Sequence, residues 1–442
     1  MPVGGHKQYP APIEHKVAVV ESPLSGRSWE LPAMWNRMFE ERVIWDYDTA
    51  GFEKIGALPG GESLEWCYGC GKCVPVCPVD LVGEYGPLKI HRKVQTGTDL
   101  FHDPDLWLCT TCMNCLRVCP KEVDMIKIMP AVREVAVAEG EVPAELQDVF
   151  EKTFRYGNCL GENARRRHAW TKAAGVPVRV LSASDPGPVD VLVWVEDYWS
   201  YHPRGQQAAQ AFARVATALG IDWAIVGPEE KTVADSQRLA GEKGLFEAMM
   251  EDVVATLAKY QFNRIVTPDP HAYNAFTKVY PQYGHHYEVL HYTQLLAPLI
   301  DQAQFVKEIE LDVTFHDPCY LGRHGGEYDA PRVLLKSIPG LNLVEMERSR
   351  ENGYCCGGGG GGMWLDGFTA NHTTERLSER RVREAAQTGA KALAVCCPYE
   401  VSRFEDGAKS TGNESLRVPD IIELLDEAMG LAPATGAGTN GG

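Results

Sequence analysis

The sequence CYGCGKCVPVCP spans residues 67–78, and the same cysteine spacing returns as CTTCMNCLRVCP at residues 109–120. Each run has the form Cys-x2-Cys-x2-Cys-x3-Cys-Pro, and no cysteine lies between the two runs. Together they hold eight of the fourteen cysteines in this chain of 442 residues. Three closely spaced thiolates followed by a Cys-Pro are a ligand pattern of cubic iron–sulfur clusters. The repeated run therefore predicts two 4Fe-4S clusters and a role in electron transfer.

The spacing is that of the bacterial two-cluster ferredoxin, in which the fourth cysteine of each run ligates the other cluster. We expect two ligand sets, which are Cys67, Cys70, Cys73 and Cys119 for the first cluster and Cys109, Cys112, Cys115 and Cys77 for the second. A structural zinc site uses four ligands in paired knuckles and leaves the third cysteine of each run unexplained. A disulfide framework suits small secreted chains, and this chain opens with MPVGGHKQYP instead of an apolar signal segment.

Charge and composition exclude several classes of function. The net charge is -17, which argues against nucleic acid as a partner because phosphate binding needs a basic face. No stretch approaches the roughly 20 apolar residues of a membrane span. Many reduced thiols without an export signal indicate the cytoplasm, or the cytoplasmic face of a membrane where a partner holds the protein.

Composition divides the chain into five parts. We expect an N-terminal arm at residues 1–60, a helical ferredoxin-like domain at 61–182, two α/β segments at 190–300 and 310–428, and a flexible tail at 429–442. The arm contains a short helical pattern, AMWNRMFEERV, and the segment ASDPGPV at 183–189 marks a domain boundary. In the ferredoxin-like domain, VDMIKIMPAVREVAVAEG has apolar residues at helical spacing and closes on Gly140, and PAELQDVFEKTFRYGN predicts a second helix.

The two α/β segments repeat one order of predicted elements. VDVLVWV begins the first and LDVTFHDPCY begins the second, and each leads through helices to another short apolar strand, FNRIVTPDPHAYNAF or KALAVCCPYEVSRF. Alternating strands and helices indicate parallel sheets. The predicted fold class is therefore mixed α+β and α/β, with a helical two-cluster domain followed by two tandem α/β repeats.

The remaining cysteines concentrate in the second repeat, each group following a predicted strand. They are Cys319, the pair Cys355-Cys356, and the pair Cys396-Cys397. Six glycines begin at Gly357, but Met363 stands where a phosphate loop needs Lys-Ser or Lys-Thr. We expect these glycines to bring backbone N–H groups, such as those of Gly357 and Gly358, close to the sulfurs of a cluster.

The pattern Cys319, Cys355-Cys356-Gly357 and Cys397-Pro398 resembles the CCG domain of heterodisulfide reductase and its relatives. With the ferredoxin-like unit upstream, residues 61–428 resemble the catalytic subunit of heterodisulfide reductase. They are also similar to the sulfite-reduction-associated membrane-complex subunit and to the iron–sulfur subunits of glycolate, lactate and glycerol-3-phosphate oxidation. The resemblance implies a non-cubane 4Fe-4S cluster, which in this family is held by five cysteines and cleaves disulfides.

This sequence departs from the family pattern in both repeats. The first repeat has Glu196-Asp197, Lys231-Thr232 and Asp269-Pro270-His271-Ala272 where ligands would stand, so we expect it to hold no cluster. In the second repeat, Glu400 replaces the last cysteine. We expect a cluster on Cys319, Cys355, Cys356 and Cys397, with either Cys396 or Glu400 in a fifth or labile position. Cys396 and Cys397 point to opposite faces of an extended strand unless a turn intervenes.

Several other side chains have two interpretations. His316, three residues before Cys319, either orients a ligand or donates to a cluster sulfur, or else satisfies a loop backbone. His285, His286 and His291 have no cysteine nearby and are expected to cover the surface of the first repeat. Cys159 is isolated and is expected to be a buried thiol.

Two functions remain open from the sequence. The first is an oxidoreductase subunit that carries electrons through two cubes to the CCG cluster, where a disulfide or thiol substrate reacts. The second is an electron-relay subunit of a dehydrogenase with no substrate of its own. No strand is followed by G-x-G-x-x-G, so flavin or nicotinamide chemistry belongs to partners. We expect these to be flavoprotein, ferredoxin or electron-transferring flavoprotein subunits, or a membrane quinone subunit.

Overall fold

The computed structural model describes residues 19–21, 28–30 and 49–432. It divides into two units, Met1–Tyr47 and Asp48–Gly442. The described part of the first unit is an antiparallel pair of strands, β1 (Val19–Glu21) and β2 (Ser28–Glu30). The helix predicted for AMWNRMFEERV and most of the predicted tail lie outside the described residues.

The second unit begins with a helical region that carries both cysteine runs. Its α-helices are α1 (Ala50–Gly56), α2 (Pro87–Gln95), α3 (Asn114–Val118), α4 (Met125–Ala138) and α5 (Ala144–Tyr156). A 3-10 turn leads into each run, at Glu62–Trp66 and at Pro104–Leu108. Asp124 caps α4 by accepting from the N–H groups of Ile126 and Lys127. The helices expected before Gly140 and Gly157 are confirmed, and both glycines have the left-handed backbone that ends a helix.

The first α/β segment forms a four-stranded parallel sheet. Its strands are β3 (Val189–Val193), β4 (Trp223–Ile225), β5 (Phe262–Thr267) and β6 (Val289–His291), in the order β4-β3-β5-β6. The α-helices between and after them are α6 (Glu196–Tyr201), α7 (Pro203–Ala218), α8 (Asp235–Leu239), α9 (Lys243–Leu257), α10 (Pro270–Asn274) and α11 (Tyr292–Leu296). The short apolar strands are buried because helices cover the sheet.

The second segment forms a three-stranded parallel sheet, with β7 (Leu311–Phe315) between β8 (Leu341–Leu343) and β9 (Ala392–Ala394). Parallel bridges from Ala392 to Arg417 and from Val395 to Asp420 extend this sheet beyond β9. Its α-helices are α12 (Asp329–Ser337), α13 (Asp366–His372), α14 (Leu377–Gln387), α15 (Pro398–Ser410) and α16 (Ile421–Ala428). The strand predicted to run through Phe404 is wrong in its extent, because Pro398 favours the first position of a helix and begins α15.

The two sheets have the same strand order, with the first strand of each segment between its second and third. The segments also share one hydrophobic core, in which Val191 and Phe212 of the first pack in the same cluster as Val313 and Leu425 of the second. The division into tandem repeats stays a prediction. Parallel strands direct their carboxyl ends to one edge of each sheet, and the cysteines of the second segment follow that edge.

None of the helices in the described residues is both long enough and apolar enough to cross a membrane.

Candidate functional site

The structure brings each predicted set of cubane ligands around one cavity. One cavity is lined by Cys67, Cys70, Cys73 and Cys119, and a second by Cys77, Cys109, Cys112 and Cys115, the last of which also reaches the first cavity. Each set draws its fourth cysteine from the other run, as the ferredoxin pattern predicts. Four convergent thiols around a compact space fit the donor set of a 4Fe-4S cluster.

The two cavities differ in exposure. Cys70 is exposed at the first, beside the large and exposed side chains of Trp66 and Tyr68. Cys77 and Cys112 are buried at the second. Burial raises the pKa of Cys112 to about 11, so a thiolate there needs a positive partner such as iron. The first site therefore lies nearer to the protein surface than the second.

The second cavity lies directly against the run of six glycines, residues 357–362, in the second α/β segment. A Cβ atom on Gly359 would meet the carbonyl oxygen of Thr110 at 2.4 Å, and one on Gly360 would meet that of Cys109 at 2.4 Å. Glycine is required here because the two backbones approach too closely for any side chain. The glycines thus pack against the loop of the second cubane as well as against the paired cysteines.

Cys319, Cys355 and Cys356 lie in one buried cluster with Cys112. The backbone N–H groups of Gly357 and Gly358 donate to the sulfurs of Cys355 and Cys356, at 3.3 and 3.4 Å. Hydrogen bonds from the thiols of Cys319 and Cys356 hold the pKa of Cys355 well below its ordinary value, and burial opposes them. These N–H groups therefore point at the thiols of the paired cysteines, and their donation to the sulfurs of a bound cluster stays a prediction.

Glu400 and His316 complete the site. One ligand atom from each of His316, Cys356 and Glu400 lies within 4.8 Å of the other two, and all three residues are buried. Among the described residues this is the one group of three His, Cys, Asp or Glu side chains whose ligand atoms lie this close together. Neither His316 Nε2 nor Glu400 Oε2 has a hydrogen-bond partner in that part of the chain. Buried polar atoms without partners fit a missing ligand such as iron.

His316 is oriented by a second side chain. Its Nδ1 atom accepts a hydrogen bond from Arg381 Nε at 3.0 Å, so the ring nitrogen that faces Glu400 is Nε2. Arg381 is itself fully buried. The interpretation of His316 as a residue that satisfies a loop backbone is therefore wrong, because both ring nitrogens face side chains.

Cys396 and Cys397 belong to different parts of the structure, as their positions on consecutive residues suggested. Cys396 packs in the hydrophobic core that the two sheets share. Cys397 packs with Tyr198 and Tyr399 and is the N-cap residue of α15, the helix that carries Glu400. Both thiols lie within electrostatic range of Glu400. Of these three residues, Glu400 is the one whose ligand atom lies within 4.8 Å of those of Cys356 and His316, and neither Cys396 nor Cys397 packs in the cluster that holds Cys319, Cys355 and Cys356.

Four polar side chains that the sequence did not single out also contact the site. Arg133 donates to the carbonyl oxygens of Cys109 and Gly360, and Arg323 to that of Cys112. Tyr320 and His324 stack on each other and both reach Thr111. Nothing in the sequence marks these four side chains, because their contacts join segments that are far apart in the chain.

Buried charged side chains of the first segment pair with an arginine of the helical region before it. Arg167 Nη2 lies 2.9 Å from Asp197 Oδ1 and 3.0 Å from Glu230 Oε1, and all three groups are buried. Asp269 caps α10 as Cys397 caps α15. Arg167 and its two carboxylate partners therefore neutralise one another inside the protein.

The structure agrees with some of the predictions for the isolated cysteine and for the histidines of the first segment, and contradicts one. Cys159 is buried, as predicted. His285 is half-buried and His286 is exposed, in keeping with a surface role. The prediction for His291 is wrong, because this ring is fully buried, with Nε2 3.0 Å from the carbonyl oxygen of Pro268. Desolvation lowers the pKa of His291 to about 4, so the ring is neutral.

Two family models match the chain. A 4Fe-4S dicluster domain matches residues 63–123, and the cysteine-rich domain called CCG matches residues 313–399. The chain is 36% identical over 340 residues to the probable iron–sulfur-binding oxidoreductase FadF of Bacillus subtilis, covering 75% of this chain and 47% of that protein. It is 31% identical over 339 residues to the EtfAB:quinone oxidoreductase of Syntrophomonas wolfei, with the same two coverages.

The chain thus spans about half the length of these two relatives. A third relative is covered almost completely. It is one of the subunits of the dihydromethanophenazine:CoB–CoM heterodisulfide reductase of Methanosarcina mazei, 31% identical over 406 residues that make up 88% of this chain and 92% of that protein. The dicluster and CCG domains carry 4Fe-4S clusters, including one of the CCG type. The chain belongs to the family of iron–sulfur oxidoreductase subunits that includes this heterodisulfide reductase protein.

Proposed function

We propose that this chain is the catalytic iron–sulfur subunit of a heterodisulfide-reductase-like complex, in which a disulfide is reduced or formed from thiols. The observation that carries the proposal is the direct packing of the loop around Cys109 against the glycine run beside Cys355 and Cys356. The bound cubanes supply one-electron transfer, and the CCG-type cluster supplies iron to which a substrate sulfur binds.

The protein side chains have distinct roles in this proposal. The thiols of Cys319, Cys355, Cys356 and Cys397 hold the CCG-type cluster in this proposal. Glu400 takes the fifth or labile position because its carboxylate lies close to Cys356, whereas Cys396 packs in the core. His316 sits beside Glu400 and is fixed by Arg381. A carboxylate binds iron less firmly than a thiolate, which suits a position that a substrate thiolate must take over.

We propose that partner proteins dock at the surface beside the first cubane site. Cys70 is exposed there and the second site is buried, so an external partner reaches the first set most closely. We propose flavoprotein, ferredoxin or electron-transferring flavoprotein subunits, or a quinone-linked membrane subunit, at this side. Fourteen cysteines, all of them free thiols, fit a reducing compartment such as the cytoplasm or the cytoplasmic face of a membrane.

A second candidate function is an electron-relay subunit without a substrate. The predicted absence of a cluster from the first segment favours it, and the buried ion pairs of Arg167 with Asp197 and Glu230 support this prediction because these groups neutralise one another without iron. The similarity to proteins named FadF and EtfAB:quinone oxidoreductase is also compatible with a relay.

Electron paramagnetic resonance (EPR) spectroscopy of the oxidised, cluster-loaded protein separates the two functions. In the catalytic proposal, a paramagnetic signal appears only after a substrate thiol is added, because the thiolate binds iron. Cys356→Ser should abolish this signal, and a reduced sample of the same variant should still show both cubane signals. Cys159→Ser is the control, since Cys159 is also buried and has no place in the cluster sites. A fully loaded protein that gives no thiol-dependent signal would be a relay.

A further inference from the structure

Two arginines beside the second cubane site are buried without a carboxylate partner. Arg133 is fully buried and Arg323 is 7% exposed. Neither has a carboxylate oxygen within 4.0 Å among residues 49–432, whereas the buried Arg167, Arg214 and Arg332 each pair with an aspartate. A buried guanidinium without a counter-charge is strongly unfavourable. Some other negative group must balance these two charges.

Their hydrogen bonds link the two cluster sites. Arg133 donates to the carbonyl oxygens of Cys109 and Gly360, both at 2.8 Å. Arg323 donates to the carbonyl oxygen of Cys112 through Nε and to that of Gly353 through Nη1, both at 2.6 Å. Each guanidinium therefore joins a ligand residue of the second cubane to the segment that surrounds Cys355 and Cys356.

Thiols and phenols are the strongest electrostatic neighbours of both guanidinium groups. Arg323 interacts with Cys112, Cys319 and Cys355, and Arg133 with Cys109. The Nη2 atom of Arg323 is buried and has no hydrogen-bond partner among the described residues. Four thiolates give a cubane a net negative charge, which supplies the counter-charge that the carboxylates do not.

The first cubane site has a different environment. The cations that line it, Lys72 and Lys121, are exposed to water. Water screens an exposed charge strongly, whereas a buried charge acts through a medium of low dielectric constant. A positive charge stabilises the more negative, reduced state of a cluster and so raises its reduction potential.

We propose that Arg133 and Arg323 are positioning residues that raise the reduction potential of the second cubane above that of the first and hold it against the CCG site. The proposal rests on the cluster assignment in the proposed function. It adds a direction of electron flow, because electrons that enter at the exposed first cubane then move to the second cubane, which lies nearer to Cys355 and Cys356.

EPR-monitored redox titration of the full, cluster-loaded chain tests the role of Arg323. Arg323→Met and Arg323→Gln remove the charge, and Arg323→Lys keeps it but loses the forked hydrogen bonds. In the two neutral variants we expect half-reduction of the second cubane to need at least a tenfold higher ratio of reduced to oxidised mediator. For a one-electron couple this is a shift of its reduction potential by about 59 mV to lower values. Arg323→Lys should keep most of the wild-type potential.

The controls separate charge from structure. Arg214→Met also removes a buried guanidinium, but Arg214 pairs with Asp426 and contacts neither cubane site, so both cubane potentials should stay unchanged. Cys70→Ser identifies the signal of the first cubane, which should not move in the Arg323 variants. If the neutral variants fail to assemble the second cubane while Arg323→Lys assembles it, a requirement for charge is still supported.

Two results would overturn the proposal. One is an unchanged potential of the second cubane in Arg323→Gln or Arg323→Met. The other is identical behaviour of Arg323→Gln and Arg323→Lys, which would show that hydrogen bonding matters and charge does not. The wild-type spectrum tests the cluster assignment separately, because it either contains the signals of two cubanes or it does not.

Discussion

His316 Nε2 lies 3.2 Å from Glu400 Oε1, yet the two side chains are not an ion pair. Burial raises the pKa of Glu400 well above its ordinary value, and the neighbouring Cys355 raises it further. Burial also lowers the pKa of His316 well below its ordinary value, and the charge of Arg381 adds to this effect. Because Nδ1 accepts from Arg381, a neutral His316 ring carries its proton on Nε2, so Glu400 is the member of this pair that offers iron a ligand atom once its carboxyl group loses its proton.

Glu400→Gln is predicted to alter the CCG-type cluster and spare the cubanes. An amide is a weaker iron ligand than a carboxylate, so the EPR signal of this cluster should shift or vanish while both cubane signals remain. Glu400→Cys restores Cys-Pro-x-Cys and should retain the cluster. Asp406→Asn, an exposed change on the same helix, is the control. A Glu400→Gln signal identical to that of the wild type would show that Glu400 does not ligate iron.

Tyr320→Phe is predicted to weaken the contact between the CCG domain and the second cubane loop. The Tyr320 hydroxyl lies 2.8 Å from Thr111 Oγ1, and this buried hydrogen bond should contribute about 1 kcal/mol to the free energy of unfolding. Thr111 keeps its bond to the Thr110 carbonyl oxygen, so no orphaned donor adds to the cost. Anaerobic urea unfolding measures the loss, with the exposed Tyr156→Phe as control. Equal midpoints for the two variants would contradict the prediction.

The sequence was most informative where a structure depends on local spacing. The ligand sets around Cys67 and Cys109 could be predicted because a cubane fixes the intervals between neighbouring thiols. The helix that closes on Gly140 could be predicted from its 3.6-residue periodicity and its left-handed end. The pairing of the two runs across the two cavities also follows from a local pattern, since the fourth cysteine is part of the same spacing.

Contacts between distant parts of the chain were not predictable in this way. Gly360 packs on the carbonyl oxygen of Cys109, and only the three-dimensional fold brings these residues together. His291 was predicted to cover the surface because no cysteine lies near it in the sequence, but its place at the end of β6 buries it. In the sequence Arg323 is an ordinary charged residue. Only the structure shows that no carboxylate lies near it among the described residues.

The pH dependence of stability is predicted to include a contribution from Asp420. Burial raises the pKa of this carboxyl group to about 7, although Tyr292 and the N–H group of Ile422 donate to it and act in the opposite direction. An unfolded aspartate has a pKa of about 3.9. Between these values the folded state holds a proton that the unfolded chain has lost, so the stabilisation is complete below about pH 4 and disappears as the pH rises through 7.

Asp420→Asn isolates this contribution because the amide still caps α16 and cannot titrate. The difference in unfolding free energy between the wild type and Asp420→Asn should fall by about 1 kcal/mol from pH 6 to pH 8. Other titrating groups cancel in the difference. Denaturant unfolding at the two pH values provides the measurement, and a difference that is independent of pH would show that Asp420 is ionised in the folded protein throughout.

Gly360→Ala is predicted to separate the loop that carries Cys109 from the glycine run beside Cys355 and Cys356. Gly360 has φ +63, and a Cβ atom there would meet the carbonyl oxygen of Cys109 at 2.4 Å and Arg133 Nη1 at 3.1 Å. Gly389→Ala is a matched control, because Gly389 has φ +80 and no atom lies within 4 Å of the position of its Cβ. Backbone strain alone should cost about 1–2 kcal/mol in both variants.

The additional cost in Gly360→Ala comes from the steric conflict with the loop of the second cubane. Overpacking of this kind typically adds about 1–3 kcal/mol, and the conflict is with backbone, which cannot rotate away as a side chain can. Denaturant unfolding of the two variants measures the extra cost. EPR spectra should show a disturbed second cubane and an unchanged first cubane in Gly360→Ala, and both cubanes unchanged in Gly389→Ala. Equal stabilities and equal spectra of Gly360→Ala and Gly389→Ala would mean that the loop and the glycine run can separate freely. The close approach of the two cluster sites would then not be needed for stability or for cluster binding.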